Sequence, residues 1–359
     1  MGFSPFKKRT YVGLDLGHHT LKAVQLERSG AGWKVGRIGW IKTPQDCIKE
    51  SVVIDPEMLG AAIKELLRNS HITANTANIA VAGGSVVVRN VRIPKMPETT
   101  LRKSIKYEAS RYVPSSVEES YIEFEILREA EENQMDVLIV AAPREVVESR
   151  IKACEYAGLA VENVDVETFA AYRSLVESDT AHDWTGRTIA LIDVGAASAS
   201  LSVVRDGEFV ITRSLPNGGQ VLTEALKNYF KLEDDDAETG KSQLNVMELI
   251  GDQPKENPPL RVLQPHVDDF VREIRRSLNY YQSQQGQTEN PNVDALIVSG
   301  GGAKLPGITE YVAAKLGLEA LSSGIFDNPR FHGANESFGR GLELSVASGL
   351  AMRAFGRAA

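Results

Sequence analysis

The chain has 359 residues, a formal net charge of -8 and a pI of about 5.5. This length allows two or more domains with hydrophobic cores. The acidic balance argues against a general nucleic-acid binder, which would carry a basic face. The two cysteines, Cys47 and Cys154, form neither a disulfide framework nor a zinc pattern, which indicates a reducing, cytoplasmic compartment. No apolar run in the sequence is long enough to cross a bilayer.

The first part of the chain opens with a predicted hairpin whose turn carries Asp-x-Gly. An apolar run ends at Asp15, Gly17 follows in the turn, and a second strand leaves at Thr20. Asp55 and Pro56 then predict the start of a helix, with Asp as the N-cap and Pro at the first helical position. The predicted order is βββα followed by a strand, with strands at 11–16, 20–24, 32–41 and 78–82.

The next stretch, 85–163, has its own βαββαβ-like order. We interpret it as a small α+β module that closes by itself and is inserted into the first domain. Its first helix shows a buried stripe at Leu101, Ile105, Ala109 and 112–113, and Pro114 ends that helix. The remaining predicted elements are strands at 86–93, 121–127, 136–141 and 160–166, and a helix at 144–156 that ends at Gly158.

The second half repeats the first. An apolar run again ends in Asp-x-Gly, here Asp193 and Gly195, and the βββα order returns, which indicates duplication. Asn257-Pro258-Pro259 reads as a loop, and a long helix is predicted from about Pro265, in its first turn, to Gln285. The last predicted elements are a strand that runs into Gly300–Gly302 and a helix at 342–355 that returns to the first domain.

The two turns have the chemistry of a phosphate and metal site. A Gly-containing turn lets backbone N–H groups converge on an anion, and Mg²⁺ keeps much of its water and takes few carboxylates directly. Asp15 and Asp193 can therefore hold a hydrated metal from opposite sides of a ligand bound between the halves. Thr20 and Ser198 can add hydroxyl contacts, and Lys22 can reach a phosphate. The alternative is that each Asp is a turn residue that bonds its own backbone.

Two further features complete this prediction. Glu167 begins a short helix and is a candidate for positioning an attacking water. It is equally well explained as an acidic residue that the helix dipole favours at an N-terminus. The glycines at 300–302 leave a flat backbone against which an adenine or a ribose can lie.

The order of these motifs resembles the actin-like ATPase superfamily. Within it, the chain resembles the PilM family of type IV pilus assembly proteins, which are relatives of the division protein FtsA. The resemblance covers nearly the whole chain. Its more specific parts are the segments 15–22, 93–97, 107–109, 112–114 and 216–219.

The resemblance implies a duplicated, ribonuclease H-like actin fold of α/β class with an inserted, SHS2-like 1C subdomain. Subdomain 1A would comprise 8–84, with 164–186 and 342–359 returning to it. Subdomain 1C would comprise 85–163, and subdomains 2A and 2B would comprise 187–341.

The resemblance also implies ATP and Mg as ligands, with Mg held by Asp15 and Asp193 through water. Glu238 and Lys241 match the superfamily motif whose Glu and Lys flank adenosine. The implied nucleotide-binding residues are Asp15, Gly17, His18, His19, Thr20, Lys22, Asp193, Gly195, Ala196, Ser198, Gly218, Gly219, Glu238, Lys241, Gly300, Gly301, Gly302 and Lys304.

Two departures from the superfamily pattern bear on hydrolysis. Position 18 is His where a small hydroxyl residue is usual, and the segment after Glu167 lacks the Pro of a Glu-Pro pattern. The expected activity is therefore ATP binding with at most slow hydrolysis, for which Glu167 is the candidate catalytic acid.

The implied role is a cytoplasmic ATP-binding scaffold at the inner face of the inner membrane. It would capture the N-terminal cytoplasmic tail of the membrane protein PilN in a groove between 1A and 1C, so that its membrane contact is indirect. This role is also compatible with binding to pilus motor ATPases and to the platform protein. Binding to nucleic acid is not expected.

Two other functions remain open at this stage. The first is an FtsA-like filament-forming division or cytoskeletal ATPase at the membrane. FtsA-like chains carry a C-terminal extension with an amphipathic helix, whereas this sequence stops at Gly356–Ala359, which favours the pilus role. The second is a sugar or acetate kinase of the same superfamily, for which the sequence offers no separate catalytic base with supporting context.

Overall fold

The computed structural model describes residues 9–113, 116–250, 257–284, 291–333 and 338–355. The strands are β1 (Tyr11–Leu16), β2 (Thr20–Ser29), β3 (Gly32–Lys42), β4 (Ile48–Lys49), β5 (Val52–Val53), β6 (Thr76–Val81), β7 (Val87–Pro94), β8 (Ser120–Ala130), β9 (Gln134–Pro143), β10 (Ala160–Val166), β11 (Thr188–Val194), β12 (Ser198–Arg205), β13 (Glu208–Pro216), β14 (Ala295–Ser299), β15 (Glu319–Ser322) and β16 (Phe331–His332). The α-helices are α1 (Pro56–Asn69), α2 (Glu98–Ala109), α3 (Arg144–Tyr156), α4 (Glu167–Tyr172), α5 (Gln220–Phe230), α6 (Asp234–Ser242), α7 (Pro258–Gln284), α8 (Ile308–Leu316) and α9 (Ser345–Met352).

The chain divides into two compact units, each built around its own sheet. The first unit comprises the described parts of Met1–Val81, Glu145–Ala181 and Ile325–Ala359. The second unit comprises the described parts of Ala82–Arg144 and His182–Gly324. The subdomain boundaries inferred from the sequence stay a prediction.

The two sheets share one topology. In the first unit the order is β10-β6-β1-β2-β3-β16, and β1 pairs antiparallel with β2 and parallel with β6. In the second unit the order begins β15-β14-β11-β12-β13, and β11 pairs antiparallel with β12 and parallel with β14. The duplication predicted from the repeated βββα order is therefore present in the strand pairing.

Helix α1 begins as the sequence predicts. The Oδ1 atom of Asp55 accepts a hydrogen bond from the Met58 amide at 2.9 Å, and Pro56 occupies the first turn. These two features satisfy or remove amide donors that have no partner within the helix. The inner face of α1 then packs its apolar stripe into the core of the first unit through Leu59, Ile63, Leu66 and Leu67.

Helix α9 packs directly against β1 in the first unit because glycines remove the intervening side chains. A Cβ atom at Gly13 of β1 would collide with the Ala347 carbonyl and the Ala351 amide of α9. A Cβ atom at Gly349 of α9 would collide with the Ala170 carbonyl of α4. Two glycines thus set the spacing of three elements.

Helix α7 differs from the prediction at its start. Pro258 and Pro259 lie in its first turn and not in a loop, and the Asn257 side chain accepts a hydrogen bond from the Leu260 amide at 3.4 Å. Proline is tolerated there because the first amides of a helix have no internal partner. Pro265 consequently lies inside the helix, where it removes one backbone donor. The helix continues through it with a buried stripe that includes Leu263, Val267, Val271 and Ile274.

The stretch 85–163 contributes strands to both sheets. Strand β10 pairs in parallel with β6 in the first sheet, while β7, β9 and β8 extend the second sheet from β13. Burial explains this, because Ala153 and Cys154 of α3 pack in the core of the first unit. Leu101, Ile105 and Ala109 of α2 are buried as predicted. The helix ends at Ala109, earlier than predicted, and beyond it Val113 is buried whereas Tyr112 is exposed. Pro114 and the chain end at 356–359 lie outside the described residues.

In the described part of the chain, no helix combines the length and the apolar character that a membrane span requires.

A buried carboxylate ties three strands of the second unit together. Asp136 of β9 lies across from Arg92 of β7 and Arg128 of β8 in the strand register. Its oxygens accept from Arg92 Nε at 2.8 Å and from Arg128 Nη2 at 3.0 Å. Arg128 also pairs with Glu208, at the start of β13. The bonds from Arg92 hold the pKa of the Asp136 carboxyl below its usual value.

Replacing Asp136 by asparagine is expected to lower the free energy of unfolding at pH 7 by about 1–2 kcal/mol, because the two half-exposed arginines lose a charged acceptor. The folded-state pKa is depressed, so this contribution is present above the ordinary Asp pKa and disappears as the pH falls through the depressed value. Urea titrations from pH 7 to pH 3 check the prediction. The prediction is contradicted if the difference in free energy of unfolding between wild type and the variant does not decrease as the pH falls.

Candidate functional site

The predicted site residues of the first unit surround the hairpin turn between β1 and β2. Asp15 faces Lys22 across the two strands, and Lys22 Nζ lies 2.8 Å from Asp15 Oδ2. The side chains are only 10% and 14% exposed, respectively. Lys22, which was predicted to reach a phosphate, thus pairs with Asp15, which was predicted to hold the metal. We call Asp15, Gly17, Lys22 and Arg150 the turn cluster; Arg150 comes from α3 and contacts the turn at the Leu16 carbonyl.

The conformation of the turn is held from β3. Thr43, which follows β3, donates its hydroxyl to the Gly17 carbonyl at 2.6 Å, and its amide donates to the His19 carbonyl at 2.9 Å. A Cβ atom at Gly17 would lie 2.7 Å from the Thr20 carbonyl oxygen, so this position requires glycine. Thr43 is a site residue that the sequence analysis missed.

The two histidines of the turn differ in environment. His19 is exposed, whereas His18 is half-buried. Burial lowers the pKa of the His18 imidazole, the charge of Arg150 lowers it further, and Asp15 acts in the opposite direction. The neutral form of the ring is therefore favoured over the charged form in this turn.

Arg150 of α3 is the second residue that the sequence analysis missed. Its side chain is fully buried; Nη1 donates to the Leu16 carbonyl at 3.2 Å and Nη2 donates to the Ser51 carbonyl at 3.1 Å. The sequence could have indicated Arg150, because this charged residue falls on the buried stripe of α3. A cation on an apolar stripe is a feature that calls for a specific partner.

Glu167 lies in the first turn of α4, as predicted. Its negative charge favours the charged form of Arg150, whose pKa is lowered mainly by burial. Both the catalytic and the helix-dipole interpretation place a carboxylate at this point, so the role of Glu167 stays a prediction.

In the second unit, backbone segments far apart in sequence meet at glycines. The Gly219 amide donates to the Gly195 carbonyl at 2.9 Å, and the Gln220 amide donates to the Ala196 carbonyl at 2.9 Å. A Cβ atom at Gly218 would collide with the carbonyls of Gly195 and Ala196. The start of α5 is therefore fastened to the turn between β11 and β12. We call Gly195, Gly218, Gly219, Gly300 and Gly302 the glycine cluster.

The glycines after β14 pack against the same turn. Gly300 has a φ of +93°, which favours glycine, and a Cβ atom there would collide with Asp193 Oδ1. A Cβ atom at Gly302 would collide with the Val194 side chain, and one at Gly219 would lie 3.4 Å from the Gly302 Cα atom. The Asp193 turn and the Gly300–Gly302 segment, predicted as separate motifs, are thus adjacent.

The two residues matched to the adenosine motif lie beside this cluster. Lys241 Nζ is 2.7 Å from Glu238 Oε2, and it donates to the Gly219 carbonyl at 3.2 Å. Thr223 of α5 donates its hydroxyl to Glu238 Oε2 at 2.6 Å and accepts from Lys241 at 2.8 Å. Thr223 is a third residue missed from the sequence, where nothing distinguishes it from an ordinary helical threonine.

The remaining predicted residues are less closely tied to these clusters. The Gly195 amide donates to the Ser198 carbonyl at 3.1 Å, which involves the Ser198 backbone and not its hydroxyl. Gly301 and Lys304 are exposed on the 3₁₀ turn after β14. A Cβ atom at Gly301 would meet nothing within 4 Å, so this backbone is open to a ligand.

The donor set fits a nucleotide better than a directly chelated metal. Within the described ranges, no group of three or more His, Cys, Asp and Glu side chains is arranged to hold a metal ion. A Mg²⁺ ion that keeps its water and binds phosphate does not need such a group. Gly-lined backbone, a Lys–Glu pair whose lysine is mostly shielded from water, and aspartates on separate turns are the groups that a nucleotide with hydrated Mg²⁺ uses.

The comparison with protein families decides the identity. The model of the family described as type IV pilus assembly protein PilM matches residues 13–355. The chain belongs to the PilM family. The PilM resemblance inferred from the paired turns and the 93–114 segment is therefore confirmed.

Similar proteins agree with this membership. A structure described as a PilM-PilN type IV pilus biogenesis complex is similar with 25% identity and a TM-score of 0.83, covering 97% of this chain and 99% of that one. Cell division protein FtsA of Streptococcus pneumoniae is 22% identical over 86% of this chain and 74% of its own length. MreB5 of Spiroplasma citri, solved with AMPPNP, has a TM-score of 0.53 at 13% identity, covering 98% of this chain and 97% of that one. The actin-like fold predicted from the sequence is confirmed.

Proposed function

We propose that this PilM-family chain binds Mg-ATP, with the nucleoside held at the glycine cluster of the second unit; phosphate binding by the turn cluster of the first unit stays a prediction. The observation that carries the proposal is the meeting of Gly195, Gly219 and Gly302 with the Glu238–Lys241 pair in one unit. Glycine-lined backbone admits a flat nucleoside, and the partly buried Lys241 beside it supplies a directed donor. The similarity in fold to a nucleotide-bound MreB5 supports the same assignment.

We further propose that the chain is a scaffold that binds the N-terminal cytoplasmic tail of a PilN protein at the inner face of the inner membrane. Membership of the PilM family and the similarity to a PilM-PilN complex support this partner. Nucleotide would act on the scaffold by binding one conformation more tightly than another. The groove for the tail, the motor ATPases and the platform protein stay predictions, and so does slow hydrolysis at Glu167.

Replacing Lys241 by alanine is expected to weaken Mg-ATP binding about tenfold, because a charged donor is lost beside the glycine cluster. Isothermal titration calorimetry of the full chain measures this. Lys227→Ala is the matched control, since Lys227 lies on α5 of the same unit, is partly exposed, and pairs with the exposed Asp234. Equal affinity in both variants would discard the assignment of Lys241.

The same samples test the partner. Fluorescence anisotropy of a labelled peptide with the PilN N-terminal sequence is expected to show saturable binding to wild type and to Lys227→Ala. Sedimentation of each sample with Mg-ATP examines the FtsA-like alternative, which the similarity to FtsA keeps in view. If the chain forms long ATP-dependent polymers and does not bind the peptide, the proposal of a scaffold is wrong and a filament-forming function is supported.

A further inference from the structure

Arg150 is a buried cation whose hydrogen bonds go to backbone carbonyls. Its guanidinium donates to Leu16 and Ser51, and among the described residues its Nε atom has no hydrogen-bond partner. Burying a charge without a directly bonded counter-ion is expensive, and a hydrophobic residue at such a position is often neutral or stabilising. Core packing alone therefore does not account for an arginine here.

The arginine joins two turns of the first unit. One is the turn between β4 and β5, in which Glu50 and Ser51 have φ values of +48° and +71°. Such values are uncommon for residues other than glycine and need support from their surroundings. Helix α3 supplies it with consecutive residues, because Ser149 Oγ accepts from the Val53 amide at 3.2 Å and Arg150 donates to the Ser51 carbonyl.

The other turn is the one with Asp15 and Gly17. The carbonyl that Arg150 holds belongs to Leu16, so the bonded oxygen is part of the Leu16–Gly17 peptide unit. A peptide unit is planar and trans, and its C=O and N–H point in opposite directions. Fixing the Leu16 oxygen toward Arg150 therefore directs the Gly17 N–H away from it.

We propose that Arg150 is a positioning residue that sets the orientation of the Leu16–Gly17 peptide and so aims the Gly17 N–H of the phosphate-binding turn. Its functional consequence rests on the proposed Mg-ATP binding, whereas its structural consequence does not. The planar fork of arginine reaches Leu16 and Ser51 at once, which the single ammonium of a lysine does not do in the same geometry.

The charge of Arg150 also acts on the groups around the turn. Asp15 and Glu167 each favour the charged form of Arg150, against the larger effect of burial on its pKa. Two carboxylates of the first unit thus act on the charge of Arg150.

The test compares Arg150→Met and Arg150→Lys with Lys152→Met, which removes an exposed cation from the same helix. Labelling Leu carbonyls with ¹³C and Gly amides with ¹⁵N selects the three Leu–Gly pairs of the chain, which end at Gly17, Gly60 and Gly317. Gly60 packs against the Ala153 carbonyl and Tyr156 of α3, so it reports any movement of that helix. Calorimetry with Mg-ATP is run on each sample.

The expected result for Arg150→Met is a displaced Gly17 cross-peak, unchanged Gly60 and Gly317 cross-peaks, and Mg-ATP binding weakened about tenfold. Arg150→Lys is expected to displace Gly17 in part, and it supplies the comparison if the methionine variant does not fold. Lys152→Met is expected to match wild type in every measurement.

An unchanged Gly17 cross-peak in the folded Arg150 variants would overturn the proposal. A Gly60 displacement as large as that of Gly17 would overturn it too, because α3 would then have moved as a whole. If wild type itself fails to bind Mg-ATP, the proposed nucleotide function fails, and the Gly17 cross-peak still decides the role of Arg150.

Discussion

Replacing Asp15 by alanine is expected to lower the free energy of unfolding by about 3–5 kcal/mol, because it removes the carboxylate that balances the mostly buried ammonium of Lys22. The pair is mostly shielded from water, with a separation of 2.8 Å. Chemical denaturation of the nucleotide-free chain measures this change. The same substitution is expected to weaken Mg-ATP binding, since Asp15 is the predicted metal-side carboxylate of its turn.

The double variant Asp15→Ala/Lys22→Met separates the two effects. It removes the ammonium together with the carboxylate, so it is expected to recover most of the lost stability while Mg-ATP binding stays weak. Glu162→Ala is the matched control, because its pair with Arg9 is exposed and such pairs contribute about 0–1 kcal/mol. An Asp15→Ala chain as stable as the control would show that the pair is not buried in solution.

Replacing Gly349 by valine is expected to cost about 4 kcal/mol or more of folding stability, or to prevent folding of the first unit. The new Cβ atom would overlap the Ala170 carbonyl, and both elements are helical backbone that has no rotamer to adjust. Circular dichroism and the thermal midpoint of the purified chain measure the loss.

Two comparisons make that test specific. Gly349→Ala is expected to be destabilising as well, since the clash begins at Cβ. Gly84→Val is expected to leave the midpoint near that of wild type, because a Cβ atom at Gly84 meets nothing within 4 Å. A stable Gly349→Val chain would mean that α9 does not approach α4 as closely as described.

Local pattern was sufficient for most elements of the fold. The Asp55–Pro56 start of α1 and the end of α3 at Gly158, with a φ of +82°, depend on a few neighbouring residues. The sequence also predicted the duplication, because each half repeats a strand, an Asp-x-Gly turn and a second strand. The start of α7 was misplaced because Asn-Pro-Pro suits a loop and a helix N-terminus equally well.

The residues of the candidate site also divide into those that the sequence predicted and those that it did not. The glycines and aspartates were found from the sequence since turn chemistry restricts them residue by residue. The pairing of Lys22 with Asp15 was not foreseen, because a lysine one strand away reaches either a carboxylate or a ligand. Thr43 and Thr223 act through single hydroxyl bonds, for which the sequence has no pattern.

By itself, the sequence determined the two Asp-x-Gly turns, the order of strands around them and the positions where only glycine fits. These follow from backbone sterics within a few residues. Only the tertiary structure decided that β10 joins the first sheet, that Asp136 ties three strands together, and that Arg150 reaches Leu16. The physical reason is distance along the chain: Asp136 and Arg92 are 44 residues apart, and Arg150 and Leu16 are 134 residues apart. Burial and hydrogen bonding over such separations depend on the assembled core.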